Sequence, residues 1–216
     1  MILVPVKNLA FAKQRLASVL DQAARTELAH AMLHDVLATI AAWNNRPAVS
    51  VVTSDSYAME IGRRFQFEVI SDNCNRGETD AIETATAVCV QRGIDSTLVV
   101  PGDIPLIRVE ELQAIVNAAP ASGSVLVPAA DGRGTNAAFR CPANLFPLRF
   151  GNDSFKPHLA AAQASGKPCV TLSLPGIALD VDSPFDLEQL TAAPGETRAQ
   201  QLVRCWGRRS VQAASD

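Results

Sequence analysis

Leu98-Val99-Val100-Pro101-Gly102-Asp103-Ile104-Pro105-Leu106 is the stretch around which the chain is organised. It begins as a short apolar run, the kind that fills a buried parallel strand. Pro101 and Gly102 break the run at once. Asp103 follows on a turn stiffened by Pro105. A carboxylate at the carboxyl end of a buried strand stands where open α/β sheets bind ligands. There it can hold a divalent metal against a phosphate. The alternative is an aspartate that only caps its own turn.

Working outward toward the N-terminus, Ile2 to Val6 reads as a first β-branched strand. The loop after it carries Lys7, Lys13 and Arg15, a cationic stretch where an α/β sheet commonly meets the phosphates of a nucleotide. It has no glycine and is not a Walker loop, so side-chain cations must do what backbone amides do elsewhere. Asp21 caps a long helix to about Trp43, with Leu28, Met32, Val36 and Ile40 at helical spacing. His30 and His34 are four apart, but no Glu-x-x-His arrangement follows, and an exposed face is the better reading. Ala48 to Thr53 and Phe67 to Ser71 read as strands flanking a short helix, the alternation of a parallel sheet. The polar loop from Asp72 to Asp80 enters a helix through Arg76-Gly77-Glu78-Thr79-Asp80, with Thr79 or Asp80 as its cap. Such an entry suits a base or a phosphate near Gly77 and Thr79, and equally an ordinary surface loop.

Toward the C-terminus, Arg108 to Ala118 is a helix and Ser124 to Ala129 a strand. Asp131-Gly132-Arg133-Gly134-Thr135-Asn136 is a tight polar turn that offers amides and a hydroxyl to an anion, or simply closes a hairpin. Gly151 and Ser154 put a backbone amide and a hydroxyl at the start of a helix, either as a phosphate seat or with Ser154 as a plain N-cap. His158 lies one turn further in and either faces the same site or only packs. Cys169 to Leu174 reads as a strand, and Ile177 to Asp182 as an extended run with Asp180 and Asp182 on one face. With Asp103 they make three carboxylates suited to Mg²⁺. The alternative is that Asp182 only caps the helix opened by Pro184.

The bulk properties limit the choices. The chain has 216 residues, 48% of them hydrophobic, and a net charge of −3. That is enough for one sizeable core and gives no sign of a general nucleic-acid binder. No apolar run approaches the roughly 20 residues of a membrane span, and the N-terminus lacks the basic region of a signal peptide. Five scattered cysteines without a Cys-x-x-Cys pair argue against a zinc site or a disulfide framework and fit a reduced, cytoplasmic setting. The chain reads as one domain over residues 1–193, with 194–216 as a poorly ordered tail.

Taken together, Pro5-Val6-Lys7 with Ala12-Lys13-x-Arg15-Leu16, Ala31-Met32-Leu33-x-Asp35, and Pro101-Gly102-Asp103-x-Pro105-Leu106 carry a family likeness. It continues through Gly134-Thr135-Asn136-Ala137, Phe150-Gly151-x-x-Ser154-Phe155-x-x-His158 and Asp180-Val181-Asp182-x-Pro184-x-Asp186-Leu187. In order and spacing these segments resemble the guanylyltransferases of coenzyme F-420 biosynthesis. The resemblance implies an α/β, single-domain nucleotidyltransferase fold of the glycosyltransferase-A type, with a mixed, mostly parallel central sheet flanked by helices. It implies transfer of GMP from GTP to the phosphate of 2-phospholactate, phosphoenolpyruvate or 3-phosphoglycerate, with Mg²⁺ required and the product handed to the next enzyme. By the family's pattern Asp103, Asp180 and Asp182 hold the metal, and Asp103 is catalytic. Thr135, Gly151 and Ser154 seat the acceptor. Lys7, Lys13 and Arg15 face the GTP phosphates, Lys13 and Arg15 catalytically, with Gly77 and Thr79 near the nucleotide. Where the family has Gly-Leu-Asn, this chain has Gly77-Glu78-Thr79, which bears on base or acceptor choice. A related nucleotidyltransferase using a molybdopterin or sugar phosphate, and a nucleotide-binding module without catalysis, stand as alternatives.

Overall fold

The computed structural model describes residues 1–72, 77–151 and 153–213. Cys74 and Arg76 of the loop before Gly77, and the last three residues of the expected tail, lie outside the described residues.

Seven strands form one sheet: β1 (Ile2–Val6), β2 (Val49–Thr53), β3 (Glu68–Ser71), β4 (Thr97–Val99), β5 (Gly123–Pro128), β6 (Thr135–Cys141) and β7 (Cys169–Thr171). Their order is β3-β2-β1-β4-β6-β5-β7. Every pairing is parallel except those of β6, which runs antiparallel to both β4 and β5. The expected mixed, mostly parallel sheet is therefore present. Alternation along the strands explains the layering, because successive side chains point to opposite faces. Ile2, Val4, Leu98, Val100, Val125 and Val127 join the core on one face, while Leu3, Val52, Val99 and Leu126 join the core on the other. Both faces are covered, so the strands read as continuous apolar runs.

Helices α1 (Gln22–Ala42) and α4 (Val109–Ala118) pack on the first face, and α3 (Glu78–Gln91) and α5 (Phe155–Ala164) on the second. Helix α2 (Ser56–Arg64) joins β2 to β3, and the short α6 (Pro175–Ala178) leads to α7 (Pro184–Ala192) and α8 (Arg198–Ala213). Asp21 caps α1 as expected, its side chain accepting from Ala24 N at 2.8 Å. Among the described residues no helix is long and apolar enough to cross a membrane.

Three expectations are corrected. The segment expected as a poorly ordered tail instead contains α8, which packs Ala199 and Val203 against Leu28 and Met32 of α1. The run Ile177 to Asp182 is not continuously extended, because Pro175 starts a helical turn that ends at Ala178. Helix α3 is entered at Gly77 (φ 142°), so neither Thr79 nor Asp80 caps it.

The direction of β6 positions the site. β1, β2 and β4 end at one edge of the sheet, and the reversed β6 begins there. Thr135 and Asn136 are thus carried to the same edge as the loops after β1 and β4.

Candidate active site

Asp103 follows β4 on its turn, and Gly102 lies close against α1: a Cβ there would come within 3.1 Å of Leu33 Cδ1, which would have to shift by a few tenths of an ångström. The Asp103 carbonyl accepts the Val181 N–H at 3.2 Å. That one bond draws the segment before α7 against the turn, with Asp180 and Asp182 on either side of the contact. Asp182 does not cap α7; Ser183 does, and Asp186 returns the bond to Ser183 N at 2.7 Å. Nor does Asp103 spend its carboxylate on its own turn. Lys13 Nζ donates to Asp103 Oδ2 at 2.7 Å and to Asp182 Oδ1 at 2.6 Å. Lys13 itself sits in the left-handed region at φ 57°, where the loop turns inward. Its ammonium is buried, which works to lower its pKa, yet Asp103 and Asp182 outweigh burial and raise it above the ordinary lysine range. Burial likewise tends to raise Asp182, but Lys13 and then Arg15 bring it below the usual carboxylate range.

Asp180 is held from the other side. Asn136 Nδ2 donates to Asp180 Oδ1 and to the carbonyls of Ile177 and Ala178, each at 3.0 Å. Burial raises the Asp180 pKa, and the charges of Asp103 and Asp182 add to it, so the three carboxylates feel one another. Among the described residues no three His, Cys, Asp or Glu side chains are grouped tightly enough to enclose a metal on their own. The Lys13 ammonium takes one oxygen from each of Asp103 and Asp182 and leaves Asp103 Oδ1 and Asp182 Oδ2 for other partners. An open set of hard oxygens, completed by substrate phosphates, is the usual way Mg²⁺ is bound. These carboxylates form no all-protein cage, and a divalent cation there would need substrate oxygens to complete its shell.

Two cavities meet at Asp103. One, of about 430 Å³, is largely apolar, with Val6, Leu9, Phe11, Ala12, Ala29 and Met32 beside Lys7, Asn8 and Lys13. The other, of about 270 Å³, is polar and lined by Arg15, Thr135, Gly151, Ser154, Asp180 and Asp182, among others. Pro101, Asp103 and Glu78 belong to both walls. Glu78, at the first turn of α3, is the glutamate of the Gly77-Glu78-Thr79 departure, the loop expected beside the nucleotide base or the acceptor. Burial, then Asp103, raises its pKa to about 7.

On the far wall of the polar cavity, three side chains form a chain of hydrogen bonds. Arg149 N–H donates to His158 Nε2 at 2.7 Å, so the imidazole proton stands on Nδ1 and donates to Thr135 Oγ1 at 2.9 Å. Ser154 Oγ accepts the Thr135 N–H at 3.1 Å and donates to Thr135 Oγ1 at 3.4 Å. Thr135 Oγ1 therefore accepts twice, and its own proton is left for a ligand. Ser154 makes no cap bond to α5, which disposes of its reading as a plain N-cap. His158 is buried, and burial followed by Arg140 lowers its pKa to about 4, keeping it neutral.

The sequence-predicted residues divide as follows. Asp103, Asp180, Asp182, Arg15, Thr135, Gly151 and Ser154 share the polar cavity, and Lys7, Lys13 and Asp103 the apolar one. Gly77 stands beside Lys7, whose Nζ lies 3.9 Å from where a Gly77 Cβ would be. Thr79 lines neither cavity; its hydroxyl accepts the Phe150 N–H at 3.1 Å and so helps place the Gly151 turn. His30 stacks on Tyr57 with ring centroids 3.6 Å apart and takes no part. Arg133 and Asn136, of the polar turn expected to meet an anion, line this wall with Asp153, and His158, which the sequence allowed either to face the site or only to pack, stands behind it on Thr135.

The comparisons with known proteins bear on this geometry. A family profile described as "Guanylyl transferase CofC like" matches residues 1–213. The chain belongs to this CofC-like guanylyltransferase family. A phosphoenolpyruvate guanylyltransferase of Roseiflexus castenholzii is 36% identical over 202 residues, covering 94% of this chain and 92% of that protein. One of Sphaerobacter thermophilus is 35% identical over 188 residues, covering 87% and 90%. Among solved structures, a putative nucleotide-diphospho-sugar transferase from Desulfovibrio desulfuricans superposes with a TM-score of 0.77 at 19% identity, covering 94% of this chain and 93% of that one. A nucleotidyl transferase from Methanothermobacter gives 0.58 at 19% identity, covering 88% and 95%. These structural likenesses establish the nucleotidyltransferase-type fold of this CofC-like chain.

Proposed function

We propose that this CofC-like protein transfers GMP from GTP to the phosphate of a three-carbon phospho-acid, releasing pyrophosphate. The observation that carries the reading is the placement of Asp103, with Lys13 at its side, on the wall between an apolar and a polar cavity. The apolar cavity takes the nucleoside of GTP, with Lys7 and Lys13 toward its phosphates. The polar cavity takes the acid on Thr135, Gly151 and Ser154. The relatives named phosphoenolpyruvate guanylyltransferases favour phosphoenolpyruvate over 2-phospholactate and 3-phosphoglycerate as acceptor. On this reading the product is an intermediate of coenzyme F-420 assembly, made in the cytoplasm and passed to the next enzyme.

An oxygen of the acceptor phosphate attacks the α-phosphorus of GTP. The new P–O bond forms as the bond to the bridging β-phosphate oxygen breaks, and pyrophosphate departs with those electrons. The nucleophile is already an anion and needs no general base. The difficulty is bringing two anions together, so positioning and charge stabilisation supply the catalysis. Lys13 is held by Asp103 and Asp182 where the two substrates meet. Arg15 reaches the same cavity from solvent, 4.0 Å from Asp182. Asp103, Asp180 and Asp182 would hold Mg²⁺ together with the triphosphate; when bound, that ion neutralises phosphate charge.

The test is pyrophosphate release from GTP with Mg²⁺, run separately with the three acids, with ATP and CTP as controls. Release with GTP and phosphoenolpyruvate is expected. Silence with every acid, from folded protein that still binds GTP, would replace this reading with a different acceptor or a binding role.

A further inference from the structure

A third cavity, of about 480 Å³, lies away from the two that meet at Asp103, and among the described residues it shares no lining residue with either. Its wall is largely apolar, with Ile82, Ala87 and Val90 from α3 and Phe146, Pro147 and Leu148 from the loop after β6. Val90 is a large apolar side chain left 44% exposed there. The cation on this wall is Arg140 of β6. Arg140 is 2% exposed, and a charge buried that deeply is costly unless something of opposite sign pairs with it.

The partners Arg140 does have are neutral. Nη1 donates to the Phe146 carbonyl at 2.6 Å, and Nη2 to Thr86 Oγ1 at 2.9 Å and Thr97 Oγ1 at 3.5 Å. These bonds brace the loop after β6 against α3. Nε is buried and has no partner. Among the described residues Arg140 forms no ion pair, and the exposed Glu83 on the same wall acts on it only through its field. Burial pulls the Arg140 pKa down to about 10, which leaves it charged at neutral pH. A bracing role accounts for the Nη bonds, but neither for the unpaired charge nor for the idle Nε. A cavity with apolar walls focuses the field of such a cation on whatever enters. An anion with an apolar body answers both features, its head meeting the charge and its body the wall. A carboxylate suits better than a phosphate, because one negative charge balances one guanidinium. A dianion would leave charge over in apolar surroundings that already carry Glu83.

We propose that this cavity is a binding site for a small carboxylic acid with an apolar body, its carboxylate on the Arg140 guanidinium and its body against Val90, Phe146 and Leu148. The site lies outside the machinery of the proposed transfer and stands or falls without it. It is nonetheless connected to the acceptor wall. Arg140 lies on the strand that begins with Thr135, and its charge is one of the causes that hold His158 neutral. An occupant that neutralises Arg140 is therefore felt at His158, whose pKa rises toward its ordinary value.

The probe is octanoate, titrated calorimetrically into the whole protein, with 1-octanol, acetate and octyl phosphate as controls. Octanoate is expected to bind about tenfold or more tightly than 1-octanol or acetate, and more tightly than octyl phosphate. Arg140→Gln is expected to weaken octanoate about tenfold or more and to leave 1-octanol unchanged. Should Arg140→Gln fail to fold, Ala87→Trp fills the cavity from the exposed face of α3 without removing the guanidinium. That variant is expected to lose octanoate while keeping the wild-type melting temperature and circular dichroism spectrum. In an NMR titration the His158 pKa rises on saturation with octanoate in the wild type and stays put in Ala87→Trp. Equal binding of octanoate and 1-octanol, equal binding of octanoate by the wild type and Ala87→Trp, or tighter binding of octyl phosphate overturns the proposal. So does a protein that takes up no octanoate; if that protein also sediments as a dimer that Ala87→Trp splits, the face belongs to a second copy of the chain.

Discussion

At the scale of single residues, Lys13 and His158 govern the two sides of the site by opposite means. Lys13 is a buried charge that needs both of its carboxylates, and they need it. Lys13→Met leaves Asp103 and Asp182 facing each other without a cation between them. On the order of a hundredfold or more of kcat/KM is expected to go with it. Lys13→Arg is not expected to restore activity, because a planar fork cannot replace a compact ammonium donating to two separate carboxylates. Steady-state kinetics beside a circular dichroism spectrum separates lost chemistry from lost fold. His158 instead works by staying neutral. Its folded pKa of about 4 lies below the ordinary value of 6.5. The unfolded chain therefore takes up the proton first as pH falls. The stability His158 contributes is complete above pH 6.5 and is lost on the way down to about 4, on the order of 3 kcal/mol. Denaturant melts at several pH values should show that loss, and a His158→Gln variant should show a shallower one.

At the scale of elements, α8 explains a buried acid in a helix interior. Asp35 lies in the middle of α1 and is buried, yet its oxygens accept the N–H groups of Arg198 and Ala199 at 3.0 and 2.9 Å. One helix thus caps the N-terminus of another that is more than 160 residues away along the chain. Asp35→Ala is expected to cost about 1–2 kcal/mol and to expose α8 to limited proteolysis before the remainder of the fold. A melting curve unchanged by the substitution would contradict the cap. The helix was partly legible: Ala199, Leu202, Val203 and Trp206 stand at i, i+3, i+4 and i+7, the stripe that packs on α1 and α7. The polarity of the residues around that stripe reads as a tail, and the Asp35 cap that starts the helix comes from a partner no window of neighbouring residues contains. Strands β1, β2 and β4 were legible because burial on both faces makes them plainly apolar. The Asp103 turn was legible from its prolines and glycine. Asn136 and His158 were visible as letters, but their tasks depend on β6 running backwards, which no local pattern encodes. Thr79 was expected at the nucleotide because it follows a glycine at a helix start; its hydroxyl faces the Phe150 amide instead.

At the scale of the whole molecule, the site depends on a single reversal in the sheet. Were β6 parallel to its neighbours, Thr135 and Asn136 would sit at the opposite edge, some 20 Å from Asp103 by the rise of a seven-residue strand. The reversal also sorts the site along the chain. The apolar cavity is built wholly from residues 5–103, whereas most of the polar wall comes from residues 129–182. On the proposed reading, donor and acceptor are handled by different stretches of one polypeptide that touch at Asp103, and changes in the later stretch are expected to retune which acid is accepted while the earlier stretch keeps its nucleotide. On that reading each side can be altered separately, and the Lys13 bridge to Asp182 is the seam between them.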